Sequence, residues 1–119
     1  MISSNTGVSA IRANETLAAR ATVASPVGPQ AVFAGRSGPV LVLLHGAGDQ
    51  AAAWSLVAPK LLAGRTVVIP DLAGHGGSAP GSGPLAVETL LAGLSAVLDA
   101  TAPKAPVTIV GNSLGGWLA

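Results

Sequence analysis

The sequence predicts an α/β fold, a three-layer sandwich with a mostly parallel central sheet between helices. Three apolar runs without polar alternation are typical of strands buried on both faces, and they lie at residues 40–44, 66–69 and 107–110. Segments with helical spacing separate these runs. Because right-handed crossovers connect successive strands in such a pattern, we expect the three strands to lie parallel in one sheet with helices on its faces.

The segment before the second run predicts a short turn followed by a short helix. Four apolar residues fall on one face of residues 51–64, namely Trp54, Val57, Leu61 and Leu62. Pro59 would interrupt a continuous helix. We therefore expect a turn around Trp54 and then a helix that has Pro59 in its first turn.

The segment at residues 84–100 predicts an amphipathic helix. Its apolar residues recur at intervals of three and four positions: Val87, Leu90, Leu91, Leu94, Val97 and Leu98. Gly93 weakens the intrinsic helix propensity of this segment. Even so, we expect an amphipathic helix over this segment.

The chain divides into two parts by pattern. Residues 1–37 are predicted to be an N-terminal extension with edge strands at 17–23 and 31–34, separated by a turn at 25–29. Residues 38–119 are predicted to be the N-terminal portion of an α/β domain. No repeat or linker divides this second part.

Composition excludes several classes of function. The chain is 50% hydrophobic and 9% charged, so it is expected to fold rather than remain disordered. Its aromatic residues are Phe33, Trp54 and Trp117, and its net charge is +1 without a basic cluster, which argues against nucleic-acid binding. No apolar run approaches the roughly 20 residues that span a bilayer. We expect a cytoplasmic protein without a membrane partner, whose ligand is a small, weakly charged molecule.

Three loops carry the residues with chemical potential, because function in parallel sheets collects at the carboxyl ends of the strands. They lie at residues 45–49, 71–78 and 111–116. The third loop contains a G-x-S-x-G sequence made by Gly111, Ser113 and Gly115, directly after a predicted strand. In a sharp strand-to-helix turn, glycine is needed on both sides of the serine because the flanking residues come into close contact.

The three loops together resemble the α/β-hydrolase fold family. The matching blocks are LLHG at 43–46, IPDLAGHGGS at 69–78 and VGNSLGG at 110–116. The resemblance implies the N-terminal half of that fold and a serine hydrolase acting on an ester or related acyl compound. It implies that Ser113 is the nucleophile and that the backbone N–H groups of Ala47 and Leu114 form the oxyanion hole. It implies no metal and no organic cofactor.

The resemblance also leaves parts of the site open. Many family members have His where this chain has Asn112, and the Gly-Asn-Ser sequence slightly favours carbon–carbon bond hydrolases. Esterase, lipase, peptidase and acyltransferase activities, the presence of a cap domain and the oligomeric state stay undetermined.

A catalytic triad requires an acid and a histidine after the serine in this fold. Six residues follow Ser113 and none of them ionises. The acid and histidine are therefore expected to be absent from this chain, and the 119-residue fragment is expected to be inactive. His45 and His75 precede the serine and are expected to be structural, Asp71 to accept backbone hydrogen bonds, and Asp49 to cap the following turn.

Two other functions stay open at this point. Residues 46–51 satisfy G-x-G-x-x-G/A, and Asp71 follows at the spacing of a ribose-binding acid, as in dinucleotide-binding folds. Against this, Asp49 would lie beside the pyrophosphate and Pro59 interrupts the helix that should hold it. The third hypothesis is a non-catalytic binding module with a hydrolase-like pocket rim.

Overall fold

The computed structural model describes residues 21–35, 38–61, 64–83, 85–102 and 106–119. Their central element is one five-stranded sheet with the order β1-β2-β4-β3-β5. The strands are β1 Ala21–Val23, β2 Gln30–Gly35, β3 Val40–Leu44, β4 Thr66–Pro70 and β5 Val107–Gly111. The helices are a 3-10 helix Ala51–Trp54, α1 Ala58–Leu61, α2 Val87–Thr101 and α3 Leu114–Leu118.

The sheet is mixed. Strand β3 pairs in parallel with β4 on one side and with β5 on the other, which confirms the parallel core predicted from the three apolar runs. Strands β1 and β2 form an antiparallel pair, and β2 also pairs antiparallel with β4. Strand β1 begins at Ala21, and the earlier part of the predicted strand, residues 17–20, lies outside the described residues.

Helices cover both faces of the sheet, so the three-layer arrangement is present. Successive strand residues point to opposite faces. In β3, Val42 and Leu44 belong to the apolar cluster that includes Leu90 and Leu94 of α2. Leu43 belongs to the opposite cluster, against which the 3-10 helix and α1 pack. Both clusters need apolar residues from the same strand, which explains why β3 reads as a continuous apolar run.

Helix α2 begins at Val87, three residues later than predicted, because Ala86 is extended with φ −119°. Leu90, Leu94 and Val97 are buried as predicted, whereas Leu91 is 41% exposed. The buried face of α2 is therefore narrower than its pattern of apolar residues predicts. None of the helices within the described ranges is both long and apolar enough to cross a membrane.

Gly93 of α2 lies at a close contact with the sheet. A Cβ atom at this position would come within 2.8 Å of Oε1 of Gln30. The buried Gln30 amide donates hydrogen bonds to the carbonyl oxygens of Gly28, Pro29 and Ala79. The glycine that weakens the helix thus makes room for a buried polar side chain that fastens two loops.

The predicted turn and helix after β3 are both present, as the 3-10 helix and as α1 with Pro59 in its first turn. Trp54 and Leu61 pack against the sheet. The prediction that Val57 shares their face is wrong, because Val57 is 44% exposed. It lies in the turn between the two helices, where the helical periodicity is interrupted. Leu62 lies outside the described residues.

Strand β5 differs from the prediction of a strand buried on both faces. Its side chains alternate between partly buried and exposed, and Val110 is 44% exposed. The reason is its place in the sheet: β5 is the last strand in the order, so among the described residues it has a strand neighbour only on the β3 side.

Candidate active site

The three loops singled out from the sequence leave the same edge of the sheet. Leu44 is paired with Gly111 in the parallel register of β3 and β5, so the chain leaves both strands at the same level. The backbone N–H of Asn112 also donates to the carbonyl oxygen of Leu44 at 3.0 Å. Strand β4 lies on the other side of β3 and ends at Pro70. The order of the strands therefore brings the loops after residues 44, 70 and 111 together.

Ser113 occupies an unusual backbone conformation at the turn between β5 and α3. Its φ is 55° and its ψ is −116°, and it is the single non-glycine residue with positive φ among the described residues. This region is almost restricted to glycine, and such a conformation costs about 1–3 kcal/mol. The side chain is exposed. A serine held in a strained turn with an exposed hydroxyl is the arrangement expected of a nucleophile elbow.

The positions two residues before and two residues after Ser113 require glycine because there is no room for a side chain. A Cβ atom on Gly111 would overlap the backbone of Gly115 and Gly116. A Cβ atom on Gly115 would lie 2.6 Å from Cβ of Leu44 and 2.7 Å from the carbonyl oxygen of His45. Both contacts are too short for real atoms. The start of α3 thus lies directly against the ends of β5 and β3.

The loop after β3 lies against this turn. A Cβ atom placed on Gly46 would lie 3.4 Å from Cβ of Ser113 and 3.4 Å from Nδ2 of Asn112. Ala47 follows Gly46 and is exposed. Leu114 is the first residue of α3, so its N–H has no acceptor within the helix. Two backbone segments therefore border Ser113: the exposed one at Ala47, and the start of α3 at Leu114, whose N–H has no acceptor within the helix.

His45 is a buried residue with both ring nitrogens in hydrogen bonds. Its exposed fraction is 1%. Nε2 accepts a hydrogen bond from the backbone N–H of Leu72 at 3.0 Å, so the proton is on Nδ1, which donates to the carbonyl oxygen of Gly46 at 2.7 Å. Burial lowers the pKa of His45, which favours this neutral form. These bonds leave His45 with no nitrogen for Ser113, in agreement with a structural role.

His75 lies beside His45. The two ring centroids are 5.0 Å apart with an angle of 55° between the planes. Nδ1 of His75 is 3.0 Å from the carbonyl oxygen of Ala73, two residues earlier. Both histidines thus belong to the packing of the loops after β3 and β4.

Asp71 connects two loops through its carboxylate. Oδ1 accepts a hydrogen bond from the N–H of Ala51 at 2.7 Å, and Oδ2 accepts one from the N–H of Gly77 at 2.9 Å. The first bond spans 20 residues and reaches the start of the 3-10 helix. Asp71 is therefore a bridge between loops rather than the local turn former that the sequence suggested, although backbone N–H groups are its partners as expected.

Replacing Asp71 by asparagine is expected to lower the free energy of unfolding by about 1–3 kcal/mol. Asparagine keeps one acceptor oxygen, but its amide nitrogen would face the other backbone N–H, leaving a buried donor unsatisfied. Urea denaturation followed by circular dichroism measures the change. Asp99→Asn on the exposed side of α2 is the matched control and should change the unfolding free energy by less than about 0.5 kcal/mol. Equal effects of the two substitutions would contradict the bridging role.

The prediction that Asp49 caps the following turn is wrong, because the N-cap of the 3-10 helix is Gln50 and no side chain caps it. Oδ1 of Asp49 accepts a hydrogen bond from the N–H of Gln50 at 2.9 Å, just before the 3-10 helix. The engagement of Asp71 and the four-residue length of that 3-10 helix also argue against the dinucleotide site, which needs an available ribose-binding carboxylate and a helix N-terminus for the pyrophosphate. Among the described residues, no group of three or more His, Cys, Asp and Glu side chains is arranged to hold a metal ion.

Two buried polar residues near the site were not singled out by sequence reasoning. The Ser78 hydroxyl donates to the carbonyl oxygen of Asp71 at 2.6 Å and accepts from the N–H of Ala31 at 2.8 Å. The Gln30 amide serves the same region from strand β2. Ser78 is the last residue of the D-x-x-G-H-G-x-S block, so its place in this motif could have identified it as a functional or structural residue. Gln30 has no motif and no periodicity that would reveal its role.

Known proteins resemble this chain over the region that contains the site. A sequence model described as the alpha/beta hydrolase family matches residues 41–119. An uncharacterized protein of Mycobacterium tuberculosis is 41% identical over 83 residues, covering 70% of this chain and 24% of that protein. The pimeloyl-(acyl-carrier protein) methyl ester esterase of Aromatoleum aromaticum is 43% identical over 83 residues, covering 68% of this chain and 30% of the esterase.

Solved structures show the same architecture. The thioesterase domain from the curacin biosynthetic pathway superposes with a TM-score of 0.75 at 32% sequence identity, covering 83% of this chain and 36% of that domain. The chain thus spans about a quarter to a third of the length of the proteins that it matches.

Proposed function

Because the chain belongs to the alpha/beta hydrolase family, we propose that the protein is a serine hydrolase in which Ser113 attacks an ester or related acyl carbon. The backbone of Ser113 is the observation that carries this proposal. A φ of 55° on a non-glycine residue is a strained conformation, and strain of this kind persists where surrounding contacts enforce it. Gly111 and Gly115 pack so closely around this turn that neither position has room for a Cβ atom, and Ser113 is exposed.

The oxyanion hole is proposed to consist of the backbone N–H groups of Ala47 and Leu114. Leu114 follows the serine directly, and its N–H is free of helical bonding because it opens α3. Ala47 comes from the loop whose Gly46 lies against Ser113. Two N–H donors from different loops on either side of a nucleophile suit the negative oxygen of a tetrahedral intermediate.

The proposed reaction forms an acyl-enzyme. The Ser113 oxygen bonds to the carbonyl carbon, the carbonyl electrons move to its oxygen, and collapse of this intermediate expels the alcohol or thiol of the substrate. A general base must accept the Ser113 proton and return it to the leaving group. His45 is already bonded at both nitrogens. His75 precedes Ser113, whereas the base of this fold follows the serine, so we propose that the catalytic histidine and its acid lie outside these 119 residues.

The names of the relatives support an acyl substrate. One relative is a methyl ester esterase and a similar structure is a thioesterase domain. Both names indicate an acyl group bonded to oxygen or sulfur.

The proposal is tested by covalent labelling of the complete protein with a fluorophosphonate probe. We expect one adduct per molecule, located by peptide mass spectrometry on Ser113, because an activated serine displaces fluoride from the probe and is phosphonylated. Prior heat denaturation should abolish labelling, since an unactivated serine does not react. Absence of labelling in the native protein would contradict the proposed hydrolase and favour the non-catalytic binding module.

A further inference from the structure

The peptide group between Gly46 and Ala47 contains a carbonyl oxygen that accepts hydrogen bonds and an N–H that we propose as an oxyanion donor. The carbonyl oxygen of Gly46 and the N–H of Ala47 belong to one planar unit, so fixing the direction of the oxygen also fixes the direction of the N–H. Rotation of this unit by a few tens of degrees would turn the N–H away from an oxyanion while leaving the loop folded. Something must therefore set its orientation.

Two donors hold the Gly46 oxygen. Nδ1–H of His45 donates to it at 2.7 Å, and the backbone N–H of Asp49 donates at 3.2 Å. The His45 bond is the shorter and comes from a side chain that is 1% exposed. The Asp49 bond closes an exposed turn. The more rigid constraint on the peptide thus comes from the imidazole.

The imidazole is fixed from its other side by a different loop. Nε2 of His45 accepts the N–H of Leu72, which follows β4 in a buried position 27 residues away. The chain of bonds therefore runs from the backbone of Leu72 through the ring to the Gly46 oxygen. It connects the segment after β4 to the peptide that carries the Ala47 N–H.

We propose that His45 is a positioning residue that orients the Gly46–Ala47 peptide, so that the Ala47 N–H points at the oxyanion. This inference rests on the proposed function, because the oxyanion exists only if Ser113 attacks an acyl carbon. His45 acts through the peptide and does not touch the substrate.

The arrangement works only with a neutral imidazole, because a proton on Nε2 would face the N–H of Leu72. The charged and titratable groups around His45 are His75, Asp71 and Asp49. Burial is the largest influence and lowers the pKa of His45, and His75 acts in the same direction. The hydrogen bond to the Gly46 oxygen and the two aspartates raise the pKa, but burial outweighs them. The lowered pKa therefore favours the neutral imidazole, and the N–H of Leu72 on Nε2 selects the tautomer that donates from Nδ1.

Two substitutions of His45 each keep one of its two hydrogen bonds and remove the other. In His45→Asn the side-chain amide can supply an N–H near the position of Nδ1, but it cannot reach Leu72. In His45→Gln the longer side chain can place an oxygen near the position of Nε2, where it accepts from Leu72, and it leaves the Gly46 oxygen without the side-chain donor. Each variant loses one buried hydrogen bond, so both are expected to be destabilised.

The experiment measures kcat and KM for p-nitrophenyl butyrate with the complete protein and these variants, normalised to active sites titrated with the fluorophosphonate probe. We expect His45→Gln to lower kcat by about tenfold to a hundredfold with KM changed by less than about twofold, since a misdirected oxyanion donor weakens only transition-state binding. His45→Asn should retain kcat within about threefold of the unsubstituted protein. The melting temperatures of both variants should fall.

The outcomes distinguish this inference from the proposed function. Equal kcat values per titrated site for His45→Gln, His45→Asn and the unsubstituted protein would show that His45 only stabilises the fold, and the inference would be overturned. A larger loss of kcat in His45→Asn than in His45→Gln would also overturn it. If Ser113→Ala hydrolyses the ester as fast as the unsubstituted protein, the proposed function itself fails.

Discussion

Ser113→Ala is expected to lower kcat for ester hydrolysis by on the order of 10³-fold or more, because it removes the atom that forms the acyl-enzyme. KM should change little, since the hydroxyl contributes to the reaction more than to binding of the ground state. The measurement is steady-state hydrolysis of p-nitrophenyl butyrate by the complete protein. Fluorophosphonate labelling of the variant should disappear in the same preparation.

The loss must be separated from unfolding, and the backbone of Ser113 makes that possible. Alanine and serine both carry a Cβ atom, so positive φ strains both residues alike and the melting temperature should stay within about 2 °C. Ser95→Ala, on the exposed side of α2, is the matched control and should retain full activity and labelling. Retention of labelling in Ser113→Ala would place the nucleophile elsewhere.

Much of the fold was predictable because burial on both faces leaves a plain pattern in the sequence. Strand β3 needs apolar residues at every position, since Leu43 faces α1 and Val42 faces α2. The sharp turn between β5 and α3 was predictable because such turns restrict residue type, and Gly111 and Gly115 satisfy that restriction. In both cases one local physical requirement determines the residues, so one stretch of sequence is enough to recognise it.

The errors have a common cause in tertiary context. Leu91 and Val57 fit helical apolar patterns, yet one lies at the margin of the buried stripe of α2 and the other in the turn between two short helices. The apolar residues of β5 predicted burial on both faces, whereas its place in the strand order leaves Val110 exposed. An apolar side chain indicates that burial is favourable, but the position of its helix or strand in the fold determines whether it is buried.

The polar connections of the site could not be predicted for a related reason. The bonds of His45 to Leu72 and of Asp71 to Ala51 join residues 27 and 20 positions apart. Their motif positions marked both side chains as structural, but which backbone groups they hold depends on how two loops meet above the sheet. The order of the strands in the sheet determines which loops are in contact, and the apolar runs alone do not specify that order.

Gly115→Ala is expected to lower the free energy of unfolding by about 2 kcal/mol or more, although alanine is the better helix former. A Cβ atom there would lie 2.6 Å from Cβ of Leu44 and 2.7 Å from the His45 oxygen, and neither group is the free end of a flexible side chain. Relief requires α3 to move away from β3, and overpacking of this kind typically costs 1–3 kcal/mol. Urea denaturation measures the loss.

Gly116→Ala is the matched control, one residue further along the same helix. Gly116 is exposed, and the nearest atom to its Cβ would be the carbonyl oxygen of Gly111 at 3.1 Å, a contact that a small shift relieves. Up to about 1 kcal/mol of helix propensity favours alanine at either glycine, so this variant should be as stable as the unsubstituted protein or more stable.

Movement of α3 in Gly115→Ala would also displace Ser113 from Gly46, and a displacement of about 1 Å can lower a rate by about 10²-fold. We therefore expect kcat per folded molecule to fall in Gly115→Ala and to be retained in Gly116→Ala. Equal stability and equal kcat in the two variants would mean that the close contact of α3 with the end of β3 neither supports the fold nor positions the serine.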